Sequence, residues 1–333
     1  MGANEYNGIL VVAEQQRSEI HKVSYELIYK AKELSQKLNS PVMSVLIGSK
    51  GMSSEELVYR GIDKLYILED EIFEKPNEII YKNNLVKIIK EIKPEIVLFG
   101  ATTFGRSLAP RVSAALNTGL TADCTELDVD EEGKLIQIRP AFSENILAHI
   151  KTSTYPQMAT VRYQEFQEAE RNSNRTAEII QKEPVLKETN FIDILSMEKE
   201  QTVNISEAEV IVAGGNGLKN PEDINLLQQL ADKLGGSVAA SRKIVDEGFI
   251  AKEYQVGYSG NRVKPRLYFA FGISGAPQHI AGMKKSDIII AINTDASAPI
   301  FEIADYGIIG DLYEVIPQFI NLIEEKNKLA SSS

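Results

Sequence analysis

The residues best suited to chemistry gather in the last third of the chain. The segment GISGAPQHIAGM (272–283) follows the apolar run LYFAF. Ser274, Gly275 and Ala276 make a small-residue turn, Pro277 can start a helix, and Gln278 and His279 fall in its first turn. At the carboxyl end of a parallel strand, such a turn offers backbone N–H groups and polar side chains to a ligand. Asn293 closes the strand DIIIAIN, and Ser241 with Arg242 ends the strand SVAAS. Ser259 lies in the loop QVGYSGNRV (255–263), and Asn216 in the loop GGNGLKN (214–220). One sheet edge therefore collects Asn216, Arg242, Ser259, Gln278, His279 and Asn293. These supply donors and positive charge, without a Ser–His–Asp or Cys–His set or paired carboxylates. Such a group suits a polar, anionic, extended cofactor better than hydrolysis.

Single elements are less decisive. GGNGLKN has glycines at 214, 215 and 217, which is not GxGxxG. It reads equally as an anion-binding loop or a plain strand–helix turn. Arg242 alone would read as a surface ion pair. In the first half, GATTFGRSLAPRVSAALNTGLTADCTEL (100–127) places Arg106 and Arg111 beside the start of a helix, as a nucleotide loop or a subunit contact. His21 and His149 fall in ordinary periodic segments and read as structural.

The elements that must position these groups alternate. Apolar strands are expected at 8–13, 42–48, 64–68 and 94–100. Helices are expected at 19–38, at 53–61 with Ser53 as N-cap, and at 77–93. Strict alternation implies a parallel sheet covered on both faces. After about residue 119 the pattern turns β-like, with strands joined by turns. Residues 163–205 are polar and read as the edge of a first domain plus a linker. Strand–loop–helix order then resumes. Strands are expected at 208–214, 237–241, 266–272, 287–293 and 306–310, and a last helix at 312–325. Asn220, Pro221, Glu222 and Asp223 have the chemistry of a helix start. The expected fold is α/β in two domains: a parallel-sheet, nucleotide-binding-like domain over 1–205 and a Rossmann-like domain over 206–328. The tail, 329–333, belongs to a frayed end that begins at Lys326.

The chain has 333 residues, 43% of them hydrophobic, which supports two packed cores and excludes wholesale disorder. Its 36 basic and 47 acidic residues give a net charge of −11. That acidity argues against nucleic acid as the partner. One cysteine, Cys124, allows no internal disulfide, zinc site or cluster. No targeting segment or membrane span is evident, so a cytoplasmic protein is expected.

The segment RLYFAFGISGAPQHIAGMKKSDIIIAIN (266–293) closely resembles the signature of the electron-transferring flavoprotein α subunit. GRSLAPRVSAALNTGLTADCTEL (105–127) resembles the N-terminal hallmark of the same family. RPAF, PQMATVR, GGNGLK, ASRKIVDEGF and SAPIFEIADYGIIGDL also fit, so the resemblance spans nearly the whole chain. It implies a heterodimer with a β subunit. The N-terminal domain would contact that subunit, and the C-terminal domain would hold one FAD. A second FAD or an AMP would belong to the β subunit.

The resemblance also implies roles. Arg242, beside Ser241, would lie against the isoalloxazine and support negatively charged flavin states. Val256, Gly257, Tyr258 and Ser259 would form the loop whose hydroxyl reaches flavin N5. Ser274, Gly275, Ala276, Pro277, Gln278 and His279 would form the flavin and phosphate loop, with His279 near the pyrimidine edge. Asn293 would meet the ribityl–phosphate part, and Asp311 with Leu312 the adenosine end. Asn216 replaces a frequent Arg and Tyr258 a frequent Gln, while Ser259 keeps the hydroxyl of a frequent Thr. The implied partner is an acyl-CoA dehydrogenase such as butyryl-CoA dehydrogenase. Similarity to clostridial members favours electron bifurcation with NADH and ferredoxin. The alternative is a simple relay from acyl-CoA dehydrogenases to a quinone reductase. The C-terminal domain is expected to swing on 195–207.

Overall fold

A computed structural model describes residues 5–16, 19–75, 77–141, 143–185 and 205–330. The chain separates into two compact units, Met1–Met197 and Glu198–Ser333. The interdomain junction and most of the expected swing region lie outside the described residues. Ile205, assigned from sequence to the end of the first domain, is buried in the core of the second unit.

The first unit is a seven-stranded, all-parallel sheet. Its strands are β1 (Ile9–Ala13), β4 (Val42–Gly48), β5 (Lys64–Glu69), β6 (Ile96–Gly100), β7 (Leu120–Cys124), β11 (Gln157–Val161) and β12 (Glu178–Gln181). They run in the order β12-β5-β4-β1-β6-β11-β7. Alternation along β1 explains the two cores. Ile9 and Val11 face Leu27, Ile28 and Leu34 of α1 (Val23–Leu38). Leu10 and Val12 share a core with α3 (Glu78–Ile92) and α4 (Thr103–Leu116) on the other face. A strand buried on both sides reads as an unbroken apolar run, which is why these strands were legible.

Several expectations shift. The helix expected from 19 begins at Val23, because Glu19–Ile20 (β3) pairs antiparallel with Gln15–Gln16 (β2). His21 Nδ1 accepts the Val23 N–H at 3.1 Å, so this histidine is structural. Helix α2 (Glu55–Tyr59) starts after Ser54, not Ser53, and neither serine side chain caps it. Arg106 and Arg111 lie inside α4 rather than beside its start, since Thr102 already caps the helix by accepting the Gly105 N–H at 2.9 Å. Of the β-like region, only β8 (Glu126–Val129), β9 (Leu135–Ala141) and β10 (Ser143–Lys151) form an antiparallel sheet. Gln157–Val161 is wholly buried and inserts between β6 and β7 instead. Within the polar stretch expected as edge and linker, Glu178–Gln181 pairs with β5 as the outer strand.

The second unit is a five-stranded parallel sheet with helices on both faces. It comprises β13 (Val210–Gly214), α5 (Ile224–Leu234), β14 (Ser237–Ala240), α6 (Arg242–Asp246), β15 (Leu267–Phe271), α7 (Pro277–Met283), β16 (Ile288–Asn293), β17 (Tyr306–Ile309) and α8 (Leu312–Ala330). The strand order is β14-β13-β15-β16-β17. Counted within the unit this is 2-1-3-4-5, a doubly wound order whose direction reverses between β13 and β15. Phe269 and Phe271 pack under α5 and α8, while Tyr268 and Ala270 face the opposite core. Pro221–Asp223 forms a 3₁₀ turn that feeds α5, with Asn220 at its head, as the residue chemistry suggested. Helix α8 passes through Pro317 and continues to Ala330, so the residues expected to fray from Lys326 are helical up to that point.

Candidate functional site

Ligands of doubly wound sheets bind outside the carboxyl ends of the strands, where the strand order reverses. In the second unit two loops meet there: 215–220 after β13 and 272–276 after β15. They are stitched by Gly215 N–H to Phe271 O at 2.9 Å and Gly217 N–H to Gly272 O at 3.0 Å. A Cβ on Gly215 would stand 2.6 Å from Gly272 O, so this approach needs glycine. Gly275 takes φ +88, a left-handed conformation, and turns the chain toward α7.

Beside these loops lies a cavity of about 700 Å³. That is the scale of a cofactor pocket. It brings together Asn216, Ser241, Arg242, Val256, Gly257, Tyr258, Ser259, Ser274, Ala276, Gln278 and His279. Five expected residues are not in its wall. Gly275 makes the turn and Pro277 opens α7. Asn293 Nδ2 donates to Ile273 O at 2.9 Å, supporting the loop from behind. Asp311 accepts the Tyr313 N–H at 2.9 Å at the start of α8. Leu312 is buried against Gly217 and Gly272.

The wall also contains residues that the sequence reading passed over: Lys243, Asp246, Glu247, Gln255 and Ile273. Gln255 is buried, and its Nε2 donates to Ser259 Oγ at 3.2 Å. The acidic pair was readable, because Asp246 and Glu247 stand four residues after Arg242 and Lys243. The Arg242 Nε lies 3.2 Å from Asp246 Oδ2, and both side chains are exposed, 71% and 61%. The guanidinium is thus a solvated cation at the cavity rim. Tyr258 carries the Arg262 guanidinium 5.2 Å above its ring.

His279 is different in kind. Its side chain is buried, and Nε2 lies 3.0 Å from the Tyr268 hydroxyl. Burial pushes its pKa down to about 4, and the Val256 main chain partly opposes this. The imidazole is therefore neutral at pH 7 and acts as a dipole. The positive charge expected at this site falls to Arg242.

The 256–263 loop of the cavity is fastened to helix α7. Tyr258 N–H donates to Gln278 O at 2.7 Å, and Val263 N–H to Gly282 O at 2.8 Å. A Cβ on Gly282 would stand 2.5 Å from Gly257 Cα. In the first unit, the polar side chains at the start of α4 and within it are bonded within the chain itself. The Thr102 hydroxyl donates to Glu14 Oε2 at 2.6 Å, Arg106 pairs with Asp123 at 3.0 Å, and Arg111 donates to Ser107 O at 2.5 Å. Among the described residues no cluster has the makings of a metal site, and no helix is long and apolar enough to cross a membrane.

The cavity's composition fits a flat, polar cofactor. Tyr258, Val256, Ile273 and Ala276 provide apolar surface, while Asn216, Ser241, Arg242, Ser259, Ser274 and Gln278 provide donors. His279 Nδ1 is sealed from solvent beside the Val256 main chain, so the imidazole is a packed element of the wall. Fold and site thus define a two-unit α/β chain whose second unit has a cofactor-sized cavity beside its switch point.

Residues 9–186 match the family described as the electron transfer flavoprotein domain, and residues 204–284 match the electron transfer flavoprotein FAD-binding domain. The chain belongs to the electron transfer flavoprotein α-subunit family. It is 44% identical to the electron transfer flavoprotein subunit alpha of Thermoanaerobacterium thermosaccharolyticum, over 98% of this chain and 99% of that one. It is 41% identical to the subunit of the same name from Megasphaera elsdenii, over 99% and 100%. It is 42% identical to the LctC subunit of a lactate dehydrogenase (NAD(+),ferredoxin) from Acetobacterium woodii, over 97% of this chain and 79% of that one.

Proposed function

We propose that this chain holds one FAD in the cavity of its second unit and forms a heterodimer with a β subunit that its first unit contacts. The observation that carries the reading is the cavity itself, with Arg242 at its rim and neutral His279 in its wall, in a segment that matches an FAD-binding domain. FAD, when bound, supplies one- and two-electron transfer. The chain's residues do the rest. Arg242 sets a positive charge where negative charge accumulates, which favours the reduced cofactor. Gln255 donates to Ser259 Oγ, leaving that hydroxyl its own proton to give. Asn216 and Ser274 offer donors from the two switch-point loops, and Gln278 from the first turn of α7. Asn293 holds the 272–276 loop through Ile273 O, and Asp311 caps the start of α8.

The working role is electron transfer between NADH, ferredoxin and an acyl-CoA dehydrogenase such as butyryl-CoA dehydrogenase. The β subunit would carry a second FAD, or an AMP if the protein is a simple relay to a quinone reductase. Similarity to a relative whose name pairs NAD(+) with ferredoxin supports the bifurcating form. The test is to co-express the chain with its β subunit, count FAD per heterodimer, and titrate with NADH with and without ferredoxin and an acyl-CoA. Two FAD with NADH-driven reduction is the expected result. One FAD that only a reduced dehydrogenase can reduce would make it the relay, and a colourless heterodimer would overturn the reading.

A further inference from the structure

The loop GGNGLKN reads from sequence as an anion-binding loop or a plain strand–helix turn, and the geometry around Asp223 separates the two. In a doubly wound sheet, backbone N–H groups between the first strand and its helix are the usual seat of a nucleotide's phosphates. Here that strand is β13 and the helix is α5, entered through the 3₁₀ turn Pro221–Asp223.

Those N–H groups are already bonded within the chain. Asp223 Oδ2 accepts the Asn220 N–H at 2.8 Å and the Lys219 N–H at 3.0 Å. The Tyr313 hydroxyl, from the first turn of α8, donates to the same oxygen, and its own oxygen accepts from the Lys219 N–H at 2.9 Å. Gly217 N–H and Leu218 N–H are given to Gly272 O and Gly215 O, each at 3.0 Å. Burial pushes the Asp223 carboxyl up, but the hydroxyl and the two amides outweigh it, so the group is charged at pH 7. Glu222 adds an exposed carboxylate in the same turn. The Lys219 ammonium rests 4.8 Å over the Tyr313 ring and acts on Asp223 as well. A phosphate brought here would find its donors taken and a carboxylate in their midst, and like charges so placed repel strongly. Lys219, Asn220 and Asp223 all stand outside the cavity wall, to which residues 215–220 contribute Asn216 alone.

We propose that Asp223 is a specificity-determining residue: it is a built-in anion that occupies the phosphate seat of the first strand–helix loop, so this unit rejects a dinucleotide laid across that loop and takes its cofactor through the cavity beside it. The inference holds whatever fills the cavity.

The test uses the intact heterodimer with ¹⁵N in its lysines, titrated with inorganic phosphate at pH 7 and constant ionic strength. Lys219→Arg identifies the Lys219 amide signal. In the wild-type protein that amide should not respond. In Asp223→Ala it should show a saturable shift, with phosphate bound at least about tenfold more tightly than in the wild-type protein. Asp223→Asn keeps the shape and drops the charge; it should gain by less, and it stands in if the alanine variant does not fold. A saturable shift in the wild-type protein overturns the proposal, and that measurement needs no variant at Asp223. A folded variant whose Lys219 amide stays silent overturns it too. Flavin content, read from the visible spectrum of the same samples, tests the FAD reading separately: a colourless heterodimer overturns that reading and leaves the phosphate result intact.

Discussion

Replacing Gly275 by alanine isolates the turn on which the cavity depends. Two separable terms act there. At φ +88 an L side chain meets its own carbonyl, which costs about 1–2 kcal/mol. The new Cβ would also stand 2.3 Å from Ile300 N, 2.7 Å from Ile300 Cα and 2.9 Å from Pro299 C. All three are backbone atoms with no flexible end to yield, and Ile300 N–H is bonded to Ser274 O at 3.0 Å. Forcing a methyl into such packing costs about 1–3 kcal/mol, so the sum is about 2–5 kcal/mol. Gly235 is the internal control, since it also has positive φ, +64, but nothing lies within 4 Å of its added Cβ. Gly235→Ala should therefore cost only the conformational term. Urea unfolding of the full chain, followed by far-ultraviolet circular dichroism, reads both. With a slope of about 2 kcal/mol per molar urea, the second unit's midpoint should fall by about 1–2.5 M in Gly275→Ala and by less than 1 M in Gly235→Ala. Flavin should be lost from the first variant and kept by the second. Equal shifts would refute the clash argument.

Three further outcomes are expected. Arg242→Ala should lower the flavin midpoint by about 40 mV, the one-electron equivalent of about 1 kcal/mol for an exposed charge, and Arg242→Lys should recover part of it; redox titration showing no change in either would remove Arg242 from the site. Asp223 is pushed up by burial, but donors from Tyr313, Asn220 and Lys219 outweigh this and hold its carboxyl below the usual range. Its stabilising effect should be present above the unfolded carboxylate pKa of about 4 and vanish as pH falls through the lower folded value, so Asp223→Asn should flatten the acid limb of a stability–pH profile. Cys124 is buried and its thiol is pushed up to about 12 by burial; thiol reagents at pH 8 should label it only at the rate of unfolding, and fast labelling of folded protein would contradict its placement.

What could be read from the sequence depended on how local the cause was. The central strands of both parallel sheets were legible because burial on two faces leaves unbroken apolar runs such as ILVVA and LYFAF, whereas the exposed outer strand Glu178–Gln181 carried no such run. The cavity's glycines, Arg242 and His279 stood out because strand–loop–helix order places them at one sheet edge. Gln157–Val161 was harder. Its run MATV looks like one arm of a hairpin, and only the sheet order reveals that it lies between β6 and β7. The state of His279 was hidden too. Its neutrality comes from burial beside Tyr268, eleven residues away in sequence and on another element. Gln255 escaped notice because its partner, Ser259, draws the eye first.

The cavity has one stiff side and one soft side. The loop at 256–263 and helix α7 are joined by two backbone hydrogen bonds and by the glycine contact between Gly257 and Gly282, so they must travel together. The facing element, α6, is five residues long, anchored by Ile244 and Val245, with its charged side chains linked only to each other in water. Opening is therefore cheapest on the Arg242 side. A cofactor would come and go past that short helix, and its rate of exchange would be set there. Salt, which loosens solvated ion pairs, would then change how quickly the cofactor is traded without disturbing the histidine's side of the pocket.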